Sequence, residues 1–446
     1  MLAHVFTTAI RIVTQLAFLP ILFAFLTAPQ VGLWSMLLAI PAYLIIAAQG
    51  IATAGTNVAI RMAGTDPRQA GAALRSVSRR ALATTLVAWL TIWLLAETLL
   101  FPSMTHPLPI DLGSLRWVAL FLGISAMFAA ALCVLEVPLR VSGRYPTFVV
   151  LIAAGTAAEL AGLALALLLG GGFVAMAIAI AAARAGVWLY GRHVARVAAP
   201  ALFAPENAAP PAFWRPAFAF MLLPLTYAIN LQAYVVLIGA IYGTATLASF
   251  VAIRMLARLF DLFTGFVFSA SFYEAAHTAA EDKGRLQQRA ASLTLLVLFA
   301  GLLFWFVLLV VGPWLQQTWT LNKTVFDPWI ASIILAAAVC RAVSAFPSAV
   351  LAARNEHERF TASYLGLSVA AFGICCVTMM SGMPLWQALL VSLAMEAIHT
   401  ALVLRQFMHA TGRTAALFLR AVFSSTAVLD RTCAASAVRW RRRTHV

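Results

Sequence analysis

The sequence predicts an all-α integral membrane protein of about 12 transmembrane helices, arranged as two parallel six-helix halves. Composition is the first observation: hydrophobic residues make up 63% of the 446 residues and charged residues only 10%, which excludes an ordinary soluble domain. The second is a series of apolar runs of roughly 20 residues, the length that a helix needs to cross a bilayer. The third is the alternation of basic and non-basic loops between those runs.

Each predicted span is an apolar run bounded by charged or turn-forming residues. In chain order the spans cover residues 5–26, 31–60, 81–101, 115–137, 147–169, 173–190, 217–240, 249–268, 290–311, 329–352, 361–380 and 385–404. The first run is too long for the apolar region of a signal peptide and lacks a small-residue cleavage site, so we expect it to remain as the first helix.

Loop composition divides the chain further. The segment at residues 191–216 contains several prolines and no long apolar run, which is typical of a linker. The predicted organisation is an N-terminal six-helix lobe at 1–190, a cytoplasmic linker at 191–216, a C-terminal six-helix lobe at 217–406 and a basic cytoplasmic tail at 407–446.

The net charge of +15 comes almost entirely from arginine. Loops after even-numbered spans, together with the tail, hold 23 of the Arg and Lys residues, whereas loops after odd-numbered spans hold two, Arg116 and Lys323. This bias predicts that both termini lie in the cytoplasm. It also explains the basic character without nucleic acid, which we do not expect as a partner, and it predicts that the tail contacts anionic membrane lipids.

An internal repeat supports the two halves. LRVSGRYPTF at residues 139–148 and LAARNEHERF at 351–360 are both short basic turns that end in an aromatic residue. VGLWSMLLAIPAYL at 31–44 aligns without a gap on LASFVAIRMLARLF at 247–260. Because six is an even number of spans, the two halves must have the same orientation in the membrane.

Charged residues inside the eighth span are the main functional signal. Arg254, Arg258 and Asp261 are spaced i, i+4, i+7 and therefore share one helical face. A charge at bilayer depth costs about 2.5–3.5 kcal/mol on insertion scales and is tolerated next to a polar cavity. Two arginines on one stripe favour a path for an anion. The alternative is a structural Arg258–Asp261 pair, with Arg254 extending to the membrane edge.

Other polar residues within spans line a cavity or simply join helices, and the sequence leaves both readings open. The polar candidates are Arg11, Gln15, Gln49, Asn57, Tyr227, Asn230, Tyr234 and Arg341. For Arg11, extension to the cytoplasmic edge is a further alternative. The candidates for ion coupling are Glu159, Asp261, Glu396 and His399. A structural partnership of the glutamates with Arg184 or Arg341 is the alternative.

The five cysteines show no metal-ligand spacing and fall mostly in apolar runs. We therefore interpret them as small buried residues and expect no metal and no cofactor.

The chain resembles the multidrug/oligosaccharidyl-lipid/polysaccharide (MOP) superfamily and, within it, the bacterial polysaccharide and O-antigen flippases. The resemblance covers most of the chain. It rests on the first span with Pro20, on QVGLWSMLLAIPAYL at 30–44, on Gln49-Gly50, and on RVSGRY at 140–145 with its counterpart at 354–360. None of these is a catalytic signature.

The resemblance implies two lobes around a central cavity that opens alternately to either side of the bacterial inner membrane. The implied substrate is an undecaprenyl-diphosphate-linked oligosaccharide, with Arg11 and Arg254, joined by Arg258, holding the diphosphate. It further implies a monomer that associates with other polysaccharide-assembly proteins. Arg341 has no role that the family assigns.

Two other functions remain open. A cation-coupled multidrug extruder of the same superfamily needs a membrane carboxylate; Arg11 argues against it and Glu159 for it. A membrane glycosyltransferase or polymerase is disfavoured because the long outer loops, 102–114 and 312–328, hold only Asp111 and Asp327 as acids. We therefore expect a protein that is not an enzyme.

Overall fold

A computed structural model of the chain describes residues 2–63, 66–100, 102, 108–203, 225–226, 229–277, 283–353 and 358–412. Every regular element in these ranges is a helix. The predicted all-α membrane fold is therefore confirmed.

Thirteen α-helices follow one another along the described ranges, most of them long enough to cross a bilayer. They are α1 Leu2–Phe25, α2 Ala28–Ala63, α3 Pro67–Leu95, α4 Leu112–Val134, α5 Glu136–Val141, α6 Tyr145–Leu168, α7 Phe173–Ala198, α8 Tyr234–Tyr242, α9 Thr244–His277, α10 Lys283–Trp319, α11 Pro328–Ala353, α12 Glu358–Met380 and α13 Leu385–Thr411. π-Helical turns at Ala96–Leu100 and Ile229–Ala233 follow α3 and precede α8, and Pro200–Phe203 forms a 3-10 turn.

Each of the twelve predicted spans overlaps one of these helices. Nine described helical stretches are long and apolar enough to cross a membrane, and Ile12–Phe25 of α1 is a shorter apolar helix. Helix α9, whose apolar run contains two arginines and an aspartate, is not among these nine stretches. Large apolar side chains such as Leu302, Phe306 and Val310 of α10 are exposed on the protein surface, as expected of a surface that faces lipid.

Several helices extend past the predicted bounds. Helix α9 continues to His277, and α10 covers Lys283–Trp319 and not 290–311, so the first part of the predicted outer loop at 312–328 is helical.

Helix α3 begins at Pro67 rather than near residue 81, so Arg75, Arg79 and Arg80 lie on a helix and not in a loop. Helix α7 continues to Ala198, so the first part of the predicted linker is helical, while residues 204–216 lie outside the described ranges. Arginine is a good helix former, which lets both helices extend past their apolar runs.

Backbone contacts divide the chain into two compact units. The first unit comprises Met1–Ala252 with Leu315–Val325, and the second comprises Ile253–Trp314 with Phe326–Val446. These bounds follow from the backbone contacts within each unit and do not test the predicted lobes. The predicted lobe bounds stay a prediction.

In the first unit, α2 packs on α3 and α4, and α7 packs on α4 and α6. Trp34 of α2 is fully buried and stacks on Phe173 of α7, with 5.9 Å between ring centroids. Gly32 of α2 lies against the backbone of Thr244 so closely that a Cβ atom at this position would overlap the Thr244 carbonyl. A glycine is therefore required for this helix approach.

In the second unit, α13 packs on both α11 and α12. Phe346 of α11 and Phe407 of α13 meet edge-to-face with centroids 6.4 Å apart. Thr400 of α13 donates a hydrogen bond of 2.8 Å to the carbonyl of Cys340. This contact fixes α13 against α11 next to Arg341.

The two basic residues of the loops that were predicted to lie outside both have partners. Arg116 pairs with Glu97 at 2.9 Å. The Lys323 ammonium donates hydrogen bonds to the carbonyls of Phe23 and Leu26, at 2.5 and 3.1 Å. Lysine at this place satisfies carbonyls that the end of α1 leaves without intrahelical donors.

Candidate functional site

Helix α9 carries the candidate cationic face in the second unit. Ile253, Leu256 and Phe260 are buried and hold the helix in the apolar interior of this unit. Arg254 and Arg258, one turn apart, are both half-buried. Arg258 forms no side-chain hydrogen bond or ion pair with any described residue, and its charged neighbours are Asp261 and Arg341.

The structure pairs Asp261 with Arg341 of α11 and not with Arg258. An Arg341 Nη2–H donates to Asp261 Oδ1 at 3.2 Å, and Nη1–H donates to Glu396 Oε1 of α13 at 2.9 Å. One guanidinium thus joins carboxylates from two other helices. The Arg341 side chain is 25% exposed and that of Glu396 only 1%. Glu396 is therefore the most buried charged side chain of the described chain.

Glu396 is held from two sides but has one oxygen without a partner. Its Oε1 accepts from Arg341 and also from the Tyr364 hydroxyl of α12, at 2.9 Å in each case. Its Oε2 is buried and has no hydrogen-bond partner among the described residues. Buried polar atoms in proteins nearly always have a partner, so this oxygen marks the group as a candidate for binding a proton or another small donor.

His399 lies one turn beyond Glu396 on α13 and shows the same feature. Its ring stacks on Tyr364 with centroids 3.9 Å apart and planes inclined by 20°. Its Nδ1 is buried and has no hydrogen-bond partner within the described chain. We name the four residues Arg341, Asp261, Glu396 and Tyr364, together with His399, the second-unit cluster.

The first unit holds a simpler pair. Arg184 of α7 donates to both carboxylate oxygens of Glu159 on α6, at 2.8 and 3.0 Å, and also to the Ser125 hydroxyl of α4 at 3.4 Å. Two-pronged contact of a guanidinium with a carboxylate is the strongest geometry for this pair. We call the Arg184–Glu159 ion pair, together with Ser125, the first-unit pair.

The remaining polar candidates are spread over the first unit. Gln15 is half-buried and its Nε2 has no described partner, whereas Gln49 is exposed. Asn230 is half-buried and Tyr234 is buried. Tyr227 lies outside the described residues, as do the side chains of Arg11 and Asn57, so the cavity role of all these residues stays a prediction.

Sequence reasoning did not select Tyr364 or Ser125. Both are polar residues in apolar spans, and a buried tyrosine hydroxyl needs a hydrogen-bond partner. Their partners lie 32 and 59 positions away in the chain, so helical spacing gives no signal for either contact.

The second unit also encloses an apolar groove of about 710 Å³ among α10, α11 and α13. Trp305, Trp329 and Trp386 line it, and Trp305 Nε1–H donates to Ser332 at 3.0 Å. None of its lining residues is charged. The groove therefore suits an apolar chain and not a phosphate group.

No group of three or more potential metal ligands occurs among the described residues. The described charged side chains form ion pairs and a cationic helix face.

No protein-family model and no curated protein matches the chain. Solved structures do match. An inward-facing multidrug resistance MATE family transporter of the MOP superfamily aligns with a TM-score of 0.66 and 14% identity over 90% of this chain and 98% of that chain. An outward-facing MATE transporter aligns with a TM-score of 0.58 and 11% identity over 91% and 93%.

A third structure is a MOP superfamily transporter from Pyrococcus furiosus, described as having a binding pocket of reverse polarity that suggests a different function. It aligns with a TM-score of 0.50 and 11% identity over 91% of this chain and 93% of that chain. At these identities the likeness concerns the fold. The chain is a multi-pass membrane protein with the fold of MOP superfamily transporters.

Proposed function

We propose that this protein is a transporter, not an enzyme, that moves an undecaprenyl-diphosphate-linked oligosaccharide across the bacterial inner membrane for surface polysaccharide biosynthesis. The MOP transporter fold supports the transport class. The nature of the substrate rests on the charges within the spans.

One observation carries the choice of an anionic substrate. The acids of α6, α9 and α13 that lie within the predicted spans are engaged by arginine: Glu159 by Arg184, and both Asp261 and Glu396 by Arg341. Arg258 has no such partner within the described ranges and is half-buried on α9. Each of these three acids therefore has an arginine partner, whereas the Arg258 guanidinium has no acidic partner among the described residues.

A diphosphate suits such a site chemically. Guanidinium groups bind phosphate oxygens through forked donors, and hydrogen bonds to charged groups are worth about 1.5–3 kcal/mol each. Outward movement of negative charge from a negative cytoplasm also gains about 2.3 kcal/mol per charge for every 100 mV. Arg254, one turn before Arg258, is the second arginine of this proposal, and Arg11 is the third by resemblance.

A cation-coupled multidrug extruder is the competing function, because the matching MATE structures include multidrug resistance transporters. A cationic drug would need a carboxylate free to bind it, which the arginine partners of Glu159, Asp261 and Glu396 oppose. The Pyrococcus protein, by its description, shows that pocket polarity varies on this fold.

The test is flipping of a fluorescent undecaprenyl-diphosphate oligosaccharide by the purified protein in proteoliposomes. We expect Arg258→Ala and Arg254→Ala to lower the rate by about tenfold to a hundredfold, the equivalent of one charged hydrogen bond. Arg116→Ala is the matched control, since it removes an arginine that is paired near the end of a span and should leave the rate unchanged.

Equal rates in all variants would retain the transporter and exclude the site on α9. Absence of flipping together with efflux of cationic dyes would establish the multidrug extruder instead.

A further inference from the structure

The second-unit cluster holds more negative than positive charge. Arg341 alone bridges Asp261 and Glu396, so these three groups sum to one excess negative charge when all are ionised. Arg258 is a further cation whose electrostatic neighbours are Asp261 and Arg341, and it forms no ion pair within the described ranges. Its positive charge offsets the excess negative charge of the three groups.

The cluster also has room for one proton. Glu396 Oε2 and His399 Nδ1 are both buried without a hydrogen-bond partner among the described residues. Glu396 is 1% exposed and His399 6% exposed. The two residues are three positions apart on α13, a spacing that puts side chains on the same helical face. Each of these buried atoms is therefore a place where the cluster can take up a proton.

The surroundings of this pair come from four helices. Helix α9 contributes Asp261 and Arg258, α11 contributes Arg341 and Cys340, α12 contributes Tyr364, and α13 contributes Glu396 and His399. Tyr364 donates to Glu396 and stacks on His399.

We propose that the Glu396–His399 pair takes up one proton when an anionic headgroup binds Arg258. This inference rests on the proposed function, because it assigns the coupling ion of the same transporter. An anion at Arg258 withdraws the positive charge that balances the cluster, and a proton on the pair restores it. Tyr364 contacts both residues, so we assign the proton to the pair and not to one of its members.

Thermodynamic linkage fixes the sign of the coupling between anion binding and proton binding. If anion binding promotes proton binding, proton binding must promote anion binding by the same factor. The two ligands therefore bind together in this protein. An exchanger of cations against protons needs the opposite sign, with the two ligands in competition for one carboxylate.

The experiment is isothermal titration calorimetry of the full chain in detergent, with farnesyl diphosphate as the probe. Titrations at one pH in two buffers of different ionisation enthalpy give the number of protons exchanged per probe. For each bound probe, we expect the wild type to take up about one proton more than Glu396→Gln or His399→Gln does. Protons released by the phosphates themselves occur in every variant and cancel in the difference.

Glu97→Gln is the control carboxylate, because Glu97 pairs with Arg116 outside the cluster, and it should retain the uptake. Equal proton numbers in wild type, Glu396→Gln and His399→Gln would overturn the inference and leave the proposed function intact. Loss in Glu396→Gln alone would overturn the role of His399. No binding of the probe to the wild type would overturn both proposals.

Infrared difference spectra with and without the probe give a second measurement. Its first result comes from the wild type alone and does not depend on a variant that folds. We expect a protonated carboxyl or imidazolium band to appear on binding to the wild type. A spectrum without either band would contradict proton uptake by the pair.

Discussion

The two units bind a half-buried arginine in different ways. In the first-unit pair, Arg184 meets one carboxylate with two parallel hydrogen bonds, and Ser125 accepts a third. In the second-unit cluster, Arg341 divides its donors between two carboxylates from different helices. The first arrangement is balanced in charge, and the second is not.

This difference separates a structural contact from a responsive one. A balanced, fully bonded pair gains nothing from a proton, so Glu159 is suited to hold α6 against α7. An arginine shared by two acids leaves Glu396 Oε2 without a donor, and buried polar networks that are only partly satisfied are sensitive to small changes. We therefore expect the coupling between anion binding and proton uptake in the second unit.

The largest expected effect is removal of the shared cation. Arg341→Met leaves two carboxylates without a positive partner, whereas Arg184→Met leaves one. Breaking a buried pair from one side costs about 3–5 kcal/mol, and we expect Arg341→Met to reduce stability more than Arg184→Met does. Thermal unfolding of both variants in the same detergent measures the difference, and the reverse order would contradict the comparison.

Removal of both partners sharpens the comparison. Arg184→Met with Glu159→Met leaves no unpaired charge, and such replacements are neutral or stabilising by about 1–4 kcal/mol. We expect this double variant to recover most of the stability lost in Arg184→Met. Arg341→Met with Glu396→Met still leaves Asp261 without its partner and should recover only part. Full recovery in both units, seen in the same unfolding assay, would show that the two clusters are equivalent.

A smaller effect is expected from the neutral donors and acceptors. Tyr364→Phe removes the second donor to Glu396, and Ser125→Ala removes an acceptor from an arginine that keeps two other bonds. A hydrogen bond contributes about 0.5–1.5 kcal/mol, more when the acceptor is charged. Tyr364→Phe should therefore lower the unfolding temperature more, and it should also change the proton number in the calorimetric experiment. Ser125→Ala should leave that number unchanged.

The smallest effect concerns an exposed charge, which serves as a reference for pH. Asp111 caps α4 by accepting from the Ser114 N–H at 2.7 Å, and this bond lowers the pKa of Asp111 below its ordinary value of 3.8. The cap therefore contributes stability above that value and loses it as the pH falls through the lowered pKa. The unfolding temperature of wild type should exceed that of Asp111→Ala at neutral pH, with the gap closing in acid. A gap that widened in acid would contradict the sign.

The helices were predictable because apolar runs and arginine-rich loops carry their own signal. Each predicted span overlaps a described helix, although residues 217–224 and 227–228 of the seventh span lie outside the described ranges. The early start of α3 was missed because arginine continues a helix as well as it ends an apolar run.

The partners within the site were much less predictable. Arg258 and Asp261 were candidates for a pair because three positions separate them, but a pair with the acid on the C-terminal side has the less favourable direction along a helix. Asp261 instead pairs with Arg341, 80 positions away. Contacts between residues so far apart in the chain depend on how the helices pack, and a single sequence does not reveal that packing.

Lys323 and Arg116 have a consequence for how the chain enters the membrane. They are the two exceptions to the charge bias that predicts orientation, and in the folded protein each is bound, Lys323 by carbonyls at the end of α1 and Arg116 by Glu97. During synthesis these contacts do not yet exist, so both residues act as free charges when orientation is decided. On folding, Arg116 gains a carboxylate and Lys323 gains carbonyl acceptors, which makes the inserted state harder to reverse than the hydropathy of the spans alone indicates.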